Sequence, residues 1–186
     1  DEAAKVIYQF VWHSYCDWYI EFLKPIFDSN DKKNLNEARS VAAYIQSNIL
    51  IMLHPFIPFF TEKVWLDLKL HNNTKTSLML KDWKLPFKLN ANFIKSHQKI
   101  GWLIQLISNI RSAKVDLDIS PGSFVDISIQ DLKKDKKTII NNNLNVFKRL
   151  GRVTSIHDYS LDKKGVNIII GLETVTLYFN ENVNLS

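Results

Sequence analysis

Apolar residues recur at steps of three and four over residues 7–22, the spacing that places side chains on one face of an α-helix. The members of this face are Ile7, Phe10, Val11, Tyr15, Trp18 and Phe22. Pro25 is expected to end the helix, because the residue before a proline is disfavoured in the α region. The polar stretch 28–34 is then predicted to be a loop.

Three further helices are predicted downstream by the same period. The second covers about 35–53, with an inward face of Val41, Tyr44, Ile45, Ile49 and Met52. Pro55 and Pro58 interrupt the pattern, and Pro58 suits the start of a third helix over 59–70, where no backbone donor is needed. The inward residues of that helix are predicted to be Val64, Trp65 and Leu68. Residues 71–90 lack a period, and within them Leu85-Pro86-Phe87 is expected to clip over the bundle. A fourth helix is predicted over 92–114.

The period changes after the fourth helix. Ser120-Pro121-Gly122 is a turn signal, and Val125, Ile127 and Ile129 alternate with polar residues, which predicts a strand. The remaining expected elements are a polar helix over 133–150 closed by Gly151, a strand over 153–157, and a hairpin of strands 166–170 and 174–179 around Gly171. We therefore predict a mainly α protein, with an antiparallel helical bundle over 1–118 followed by a small mixed α/β unit over 119–186.

Composition adds charge and compartment to this outline. The 186 residues have a formal net charge of +5, which suits a polyanionic partner. The single cysteine, Cys16, excludes a disulfide within the chain and favours a reducing compartment, so a cytoplasmic location is expected. No apolar run approaches the ~18 residues of a membrane span. The first residues lack a start Met and the features of a signal peptide, so we expect the chain to be part of a longer protein.

The sequence shows no convincing catalytic constellation. Five scattered histidines lack the paired spacing of a metal site, namely His13, His54, His71, His97 and His157. No glycine-rich phosphate loop is present. Asp17 and Glu21 lie one helical turn apart, where a solvated face is a better explanation than an acid–base pair. We predict no catalytic residue, no metal site and no cofactor site in these residues.

Some residue types suit RNA instead. Phe59 or Phe60, beside the break between the second and third helices, is a candidate platform for stacking on an unpaired base. Candidate phosphate contacts are Arg39, Arg111, Lys114, Lys148, Arg149 and Arg152. The alternative is that both phenylalanines belong to the core and most of these cations simply face water. Composition alone favours that alternative.

Three motifs change this balance. They are YQFVW, YCDWYIE and KP at 8–12, 15–21 and 24–25, then LHPFIPFFTEKVW at 53–65, then NIR at 109–111 followed by ISPG at 119–122. In this order and at this spacing they resemble the anticodon-binding region of valyl-tRNA synthetases, which are class I aminoacyl-tRNA synthetases. The resemblance covers residues 1 to about 130. The isoleucyl, leucyl and methionyl enzymes share the bundle, but the first motif is closest to the valyl type.

The resemblance implies a function and a set of partners. The whole enzyme would join valine to its tRNA with ATP and Mg²⁺, act as a monomer, and place its catalytic and editing domains upstream. No His-Ile-Gly-His-like or Lys-Met-Ser-Lys-Ser-like motif occurs in these residues, so this part is expected to bind tRNA without catalysing the reaction. Nothing in the chain resembles the coiled-coil arm that follows the α/β unit in many members, so the arm is expected to be removed or absent.

The resemblance also implies residue roles. Phe59 matches best the aromatic that stacks on an anticodon base, and Arg39 is the candidate phosphate or base contact on the preceding helix. Arg111 and Lys114 are the candidate tRNA contacts of the fourth helix. Ile51 stands where some relatives have a basic residue, so that contact is expected to be lost or moved. Two alternatives remain: the same region of an isoleucyl- or leucyl-type enzyme, and a free-standing helical adaptor that binds RNA or protein.

Overall fold

The computed structural model describes residues 2–70, 76–83, 88–130, 132–159, 161, 165–170 and 173–178. The chain forms two compact units, Asp1–Lys88 and Leu89–Ser186. No helix in the described ranges combines the length and the apolar character that crossing a membrane requires.

The first unit opens with one continuous helix in three segments: α1 (Glu2–Gln9), a π-helical segment (Phe10–Ile20) and α2 (Glu21–Phe27). The prediction that Pro25 ends the helix is wrong, because a proline keeps a helical φ and removes only one backbone donor, and the helix stops at Phe27. The π segment also changes the predicted face. Its i→i+5 hydrogen bonds have a longer period than 3.6 residues, and Phe10, predicted to point inward, is exposed while Ile7 is buried.

Helix α3 spans Lys32–Leu53 and begins three residues before the predicted start at 35. The Asp31 carboxylate accepts hydrogen bonds from the backbone N–H groups of Lys33 and Asn34, at 3.0 and 3.1 Å, which caps the helix N-terminus. Of the predicted inward face, Ile49 is buried but Val41 and Tyr44 are exposed. The helical spacing identifies every apolar residue of the stripe, whereas the elements that pack against α3 cover only some of them.

Helix α4 spans Pro58–Asp67, with Pro58 in the first turn as predicted. Its buried Trp65 packs with Leu50 of α3 and with Leu78 of a short 3-10 turn at Leu78–Leu80. The Trp65 Nε1–H donates to the Thr76 carbonyl at 3.2 Å. Leu68 was predicted to face inward and is exposed, because the helix ends at Asp67. The predicted clip Leu85-Pro86-Phe87 lies outside the described residues.

The second unit begins with α5 (Ala91–Asp116), which packs against two helices and a strand that follow it. The later elements are β1 (Val125–Ile129), α6 (Lys134–Asn142), α7 (Leu144–Gly151), β2 (Val153–His157), β3 (Gly165–Ile170) and β4 (Glu173–Tyr178). The sheet order is β2-β1-β4-β3. Strands β1 and β2 are parallel, and the other pairs are antiparallel.

One predicted helix of this unit is two helices. The expected element over 133–150 breaks at Asn143, whose side-chain amide donates to the Ile139 carbonyl at 2.9 Å. Asparagine side chains that bond to nearby backbone favour such breaks. Gly151, expected to close the helix, is its last helical residue, and Arg152 takes the left-handed conformation with φ 52° instead. The turn around Gly171, predicted within the hairpin, lies outside the described residues.

The predicted fold class is confirmed: the chain is mainly helical, with a small four-stranded α/β unit at its C-terminal end. The division between bundle and α/β unit at 118/119 stays a prediction. By compactness α5 groups with the sheet, because it packs on α6, α7 and β3.

Candidate nucleic-acid interface

The junction between α3 and α4 is fixed by a buried threonine. The Thr61 hydroxyl donates to the backbone carbonyls of Ile57 (3.0 Å) and Pro58 (3.1 Å). Its oxygen lies 2.8 Å from Nδ1 of His54. Since the hydroxyl proton is committed to the carbonyls, the imidazole must donate its Nδ1–H to the oxygen. Three backbone segments are thereby tied together at the point where the chain reverses.

The aromatic residues that follow this junction face solvent. Phe59 is 92% exposed and Phe60 is 63% exposed. The alternative that both phenylalanines are core residues is therefore wrong. Apolar side chains of this size are seldom left so exposed without a partner when they cluster, and Phe56 and Ile57 are also exposed at the same junction. A rigid backbone with an outward ring is the geometry that base stacking requires.

Arg39 lies on the same unit but not at the junction. It is exposed on α3, fourteen residues before the end of that helix at Leu53, which places it about 21 Å from Leu53 along the axis. The Arg39 guanidinium forms no ion pair or hydrogen bond with the residues that the structure describes. Arg39 thus lies well away from the junction, and Arg39 and Phe59 suit separate contacts to one extended ligand.

Arg111 and Lys114 belong to the second unit, and they differ from each other. Arg111 is exposed, and its Nε donates to the Leu150 carbonyl at 2.8 Å. Lys114 is only 2% exposed, and its ammonium donates to the Pro121 carbonyl at 3.2 Å and to the Ser123 carbonyl. These bonds hold the turn after α5 against the last turn of that helix. The geometry weighs against a direct phosphate contact by Lys114, and that contact stays a prediction.

The electrostatics around Lys114 are unfavourable to its charge. Burial lowers the pKa of Lys114, and the cations of Arg152 and Arg111 lower it further. Arg152 is exposed, and its guanidinium lies 5.5 Å from the ring centroid of the exposed Phe124. This end of the unit therefore has a concentration of positive charge. Phe124 was not among the predicted contacts, since a single aromatic before a strand has no distinguishing pattern.

The four residues to which a tRNA contact was assigned thus fall into two pairs. Phe59 and Arg39 lie in the unit Asp1–Lys88, and Arg111 and Lys114 lie in the unit Leu89–Ser186. Within the described part of the chain, no three His, Cys, Asp or Glu side chains are close enough to hold a metal ion.

The comparisons of this chain with known proteins agree with one another. The family model described as the anticodon-binding domain of tRNA ligase matches residues 1–129. The valine–tRNA ligase of Pelagibacter ubique is 43% identical over 100% of this chain and 21% of its own length. The corresponding protein of Agrobacterium fabrum is 33% identical over 100% of this chain and 20% of its own length. That of Zymomonas mobilis is 34% identical over 88% of this chain and 18% of its own length. The chain spans about a fifth of the length of the relatives it matches.

Proposed function

The chain belongs to the family of anticodon-binding domains of tRNA ligases, and on this premise we propose that it binds the anticodon arm of a valine-accepting tRNA. The observation that carries the proposal is the 92% exposure of Phe59 at a fixed helix junction. Specificity for valine is supported by similar proteins named valine–tRNA ligase that align with the whole chain.

The proposal extends to the protein of which the chain is part. That protein joins valine to tRNA with ATP and Mg²⁺, acts as a cytoplasmic monomer, and does so through catalytic and editing domains outside these residues. The chain itself binds tRNA and holds neither ATP nor metal. Support comes from the chain's share of its relatives, about a fifth of their length, and from its position in a family defined by anticodon binding.

Within this proposal Phe59 and Arg39, which both lie in the first unit, have different roles in binding. Stacking of a base on an aromatic ring contributes roughly 1–3 kcal/mol to the binding free energy, as judged by alanine substitution. Any of the bases can make this contact. Cations such as Arg39 position the phosphate backbone without selecting a sequence. Discrimination of the anticodon then depends on base-edge hydrogen bonds near the stacked ring.

Replacing Phe59 with alanine is expected to weaken binding of an anticodon stem-loop RNA about tenfold, because the stacking surface is lost. Fluorescence anisotropy with a labelled stem-loop at low salt measures the change. Phe59→Tyr keeps the ring and should bind as the parent does, whereas Phe59→Leu keeps apolar volume without a ring and should bind like alanine. Because the side chain is exposed, thermal unfolding should be unaltered. Equal binding by Phe59→Leu and the parent would contradict stacking.

The same assay tests the identity of the ligand. A stem-loop with the valine anticodon should bind more tightly than one with an altered middle base, and both should weaken as salt rises. If neither RNA binds at low salt, the proposed anticodon binding by this chain is wrong.

Replacing Arg39 with glutamine should weaken binding of both stem-loops by the same factor and reduce the slope of log affinity against log salt by about 1. A phosphate contact does not depend on the base sequence, so the ratio of the affinities for the two RNAs should stay constant. Lys33→Gln removes a charge from an exposed position on the same helix and is the matched control. If Lys33→Gln changes the slope as much as Arg39→Gln, the effect reflects net charge and no specific contact at Arg39.

A further inference from the structure

A pocket of about 420 Å³ lies in the second unit, between α6, α7 and β2. Its volume is within the roughly 300–1,000 Å³ typical of small-ligand sites. The apolar part of its lining is formed by Leu132, Ile140, Leu144 and Ile156. The polar part includes two lysines, a histidine and a tyrosine. An apolar floor with a few polar groups around it is the arrangement that binds amphipathic small groups.

The pocket has an aromatic wall suited to a planar ligand. Tyr159 is 63% exposed, and its ring lies 5.5 Å from that of His157 at an interplanar angle of 61°. An edge-to-face contact of this kind occupies at most one face of the tyrosine ring. The other face is available to a planar group, and an unpaired nucleobase is a planar group that stacks on aromatic side chains such as tyrosine.

His157 is held rigidly beside that wall. The Ser155 hydroxyl donates its one proton to the Asp126 carboxylate, so its oxygen accepts from Nε2–H of His157 at 3.0 Å. This order is the reverse of nucleophile activation, in which the imidazole takes the seryl proton. When the imidazole carries a single proton, this bond places that proton on Nε2, and Nδ1 is then an acceptor that can receive the exocyclic amino group of a base.

The charge of the pocket favours an anion. Lys137 and Lys148 line it together with one carboxylate, that of Asp158. Lys137 donates to Asp158 at 2.9 Å, so these two charges offset each other. The Lys148 ammonium forms no hydrogen bond or ion pair with the residues that the structure describes, and Lys148 is half-buried on α7. One cation is thus placed beside an aromatic wall and an apolar floor, the combination that a nucleotide's phosphate and base complement.

We propose that this pocket binds one unpaired nucleotide of an RNA chain, with its base on Tyr159 and its phosphate at Lys148. The site shares RNA as its ligand class with the proposed function, but it uses other residues in the other compact unit. It also gives the C-terminal α/β unit a binding role of its own.

The test is binding of a short labelled single-stranded oligoribonucleotide to the 186-residue chain, measured by fluorescence anisotropy. Tyr159→Ala should weaken binding about tenfold, whereas Tyr159→Phe should bind as the parent does. Lys148→Gln should weaken binding and reduce the salt slope by about 0.7, the value for one phosphate contact to a single strand. Lys133→Gln, at an exposed lysine just before α6 that does not line the pocket, should change the slope less.

Parent-like binding by both Tyr159→Ala and Lys148→Gln would overturn the proposal. Adenosine monophosphate should compete weakly, since it has one phosphate and no chain. Displacement by the mononucleotide at the oligonucleotide's own concentration would overturn the assignment to RNA. Measuring Phe59→Ala and Tyr159→Ala against both the stem-loop and the oligonucleotide separates the two sites. If only Tyr159→Ala loses oligonucleotide binding, the proposed pocket is upheld. If Phe59→Ala leaves stem-loop binding unchanged, the proposed anticodon contact is rejected.

Discussion

Replacing Lys114 with alanine is expected to lower the free energy of unfolding by about 2–4 kcal/mol, although lysine-to-alanine changes at a helix end are usually near neutral. The variant leaves the Pro121 and Ser123 carbonyls without their donor and creates a cavity where a buried stem was packed. An orphaned buried acceptor costs about 1–3 kcal/mol, and a core cavity adds to it. Chemical denaturation of the parent and variant measures the loss.

Two further measurements separate a structural role for Lys114 from an RNA contact. Lys114→Met keeps the apolar stem and removes the buried charge, so it should lose less stability than Lys114→Ala. Both variants, measured where they are folded, should bind the anticodon stem-loop as the parent does, with an unchanged salt slope. A reduced slope with unchanged stability would instead restore Lys114 as a phosphate contact.

The pH dependence gives an independent check on Lys114. Its pKa in the folded chain is lowered by burial and by Arg152 and Arg111, below the ordinary 10.5. Between the lowered pKa and 10.5 the unfolded chain binds more protons than the folded chain, so this group makes stability rise with pH across that window. Its favourable contribution is complete above 10.5 and is lost as pH falls through the folded pKa. The difference in unfolding free energy between the parent and Lys114→Met should therefore increase with pH in the alkaline range.

The sequence contained a signal for the burial of Lys114. Ile107, Ile110 and Lys114 follow each other at steps of three and four, so the lysine lies on the buried face of α5. Its charge instead placed it among the candidate tRNA contacts, which require an exposed side chain. What the period could not supply is the partner, because the carbonyls that accept from Lys114 belong to a turn seven and nine residues later.

The position of the α3–α4 junction could be predicted from the sequence more readily than the exposure and role of its aromatic residues. Pro58 predicts a helix start because its missing N–H is not needed there, and the structure confirms it. Whether Phe59 is core or exposed does not follow from its chemistry, since phenylalanine suits both. Only the ordered motifs favoured a stacking role before the exposure was seen. The Tyr159 pocket had no such signal, because it is assembled from α6, α7 and β2, and those elements meet only in three dimensions.

The π-helical segment shows a different limit. The steps of three and four predicted one apolar face over residues 7–22, and that interpretation assumes 3.6 residues per turn. Over Phe10–Ile20 the backbone bonds i→i+5, so side chains rotate away from the predicted stripe. Hydrophobic spacing identified the helix correctly but could not identify its hydrogen-bond pattern.

Replacing Glu173 with glutamine is expected to destabilise the second unit by about 3 kcal/mol, because it removes one partner of a largely buried ion pair. Glu173 on β4 is only 8% exposed and pairs with Lys136 of α6, which is 22% exposed. The Lys136 ammonium also lies 5.0 Å from the ring centroid of Trp102 on α5. The pair thus joins the sheet to both helices, and the neutral amide leaves the Lys136 charge without its counterion in a poorly hydrated site.

An exposed ion pair of the same unit provides the matched control for Glu173→Gln. Lys137 Nζ and Asp158 Oδ2 are 2.9 Å apart, but the two side chains are 42% and 70% exposed. Asp158→Asn should therefore lower the free energy of unfolding by less than about 1 kcal/mol. The double variant Lys136→Met with Glu173→Leu removes both charges and should regain most of the stability lost in Glu173→Gln, because a buried pair is only weakly favourable relative to apolar side chains of similar volume. Denaturant unfolding followed by circular dichroism measures all three. Equal losses in Glu173→Gln and Asp158→Asn would mean that burial does not strengthen the pair, and that α6 is held to the sheet by its apolar face alone.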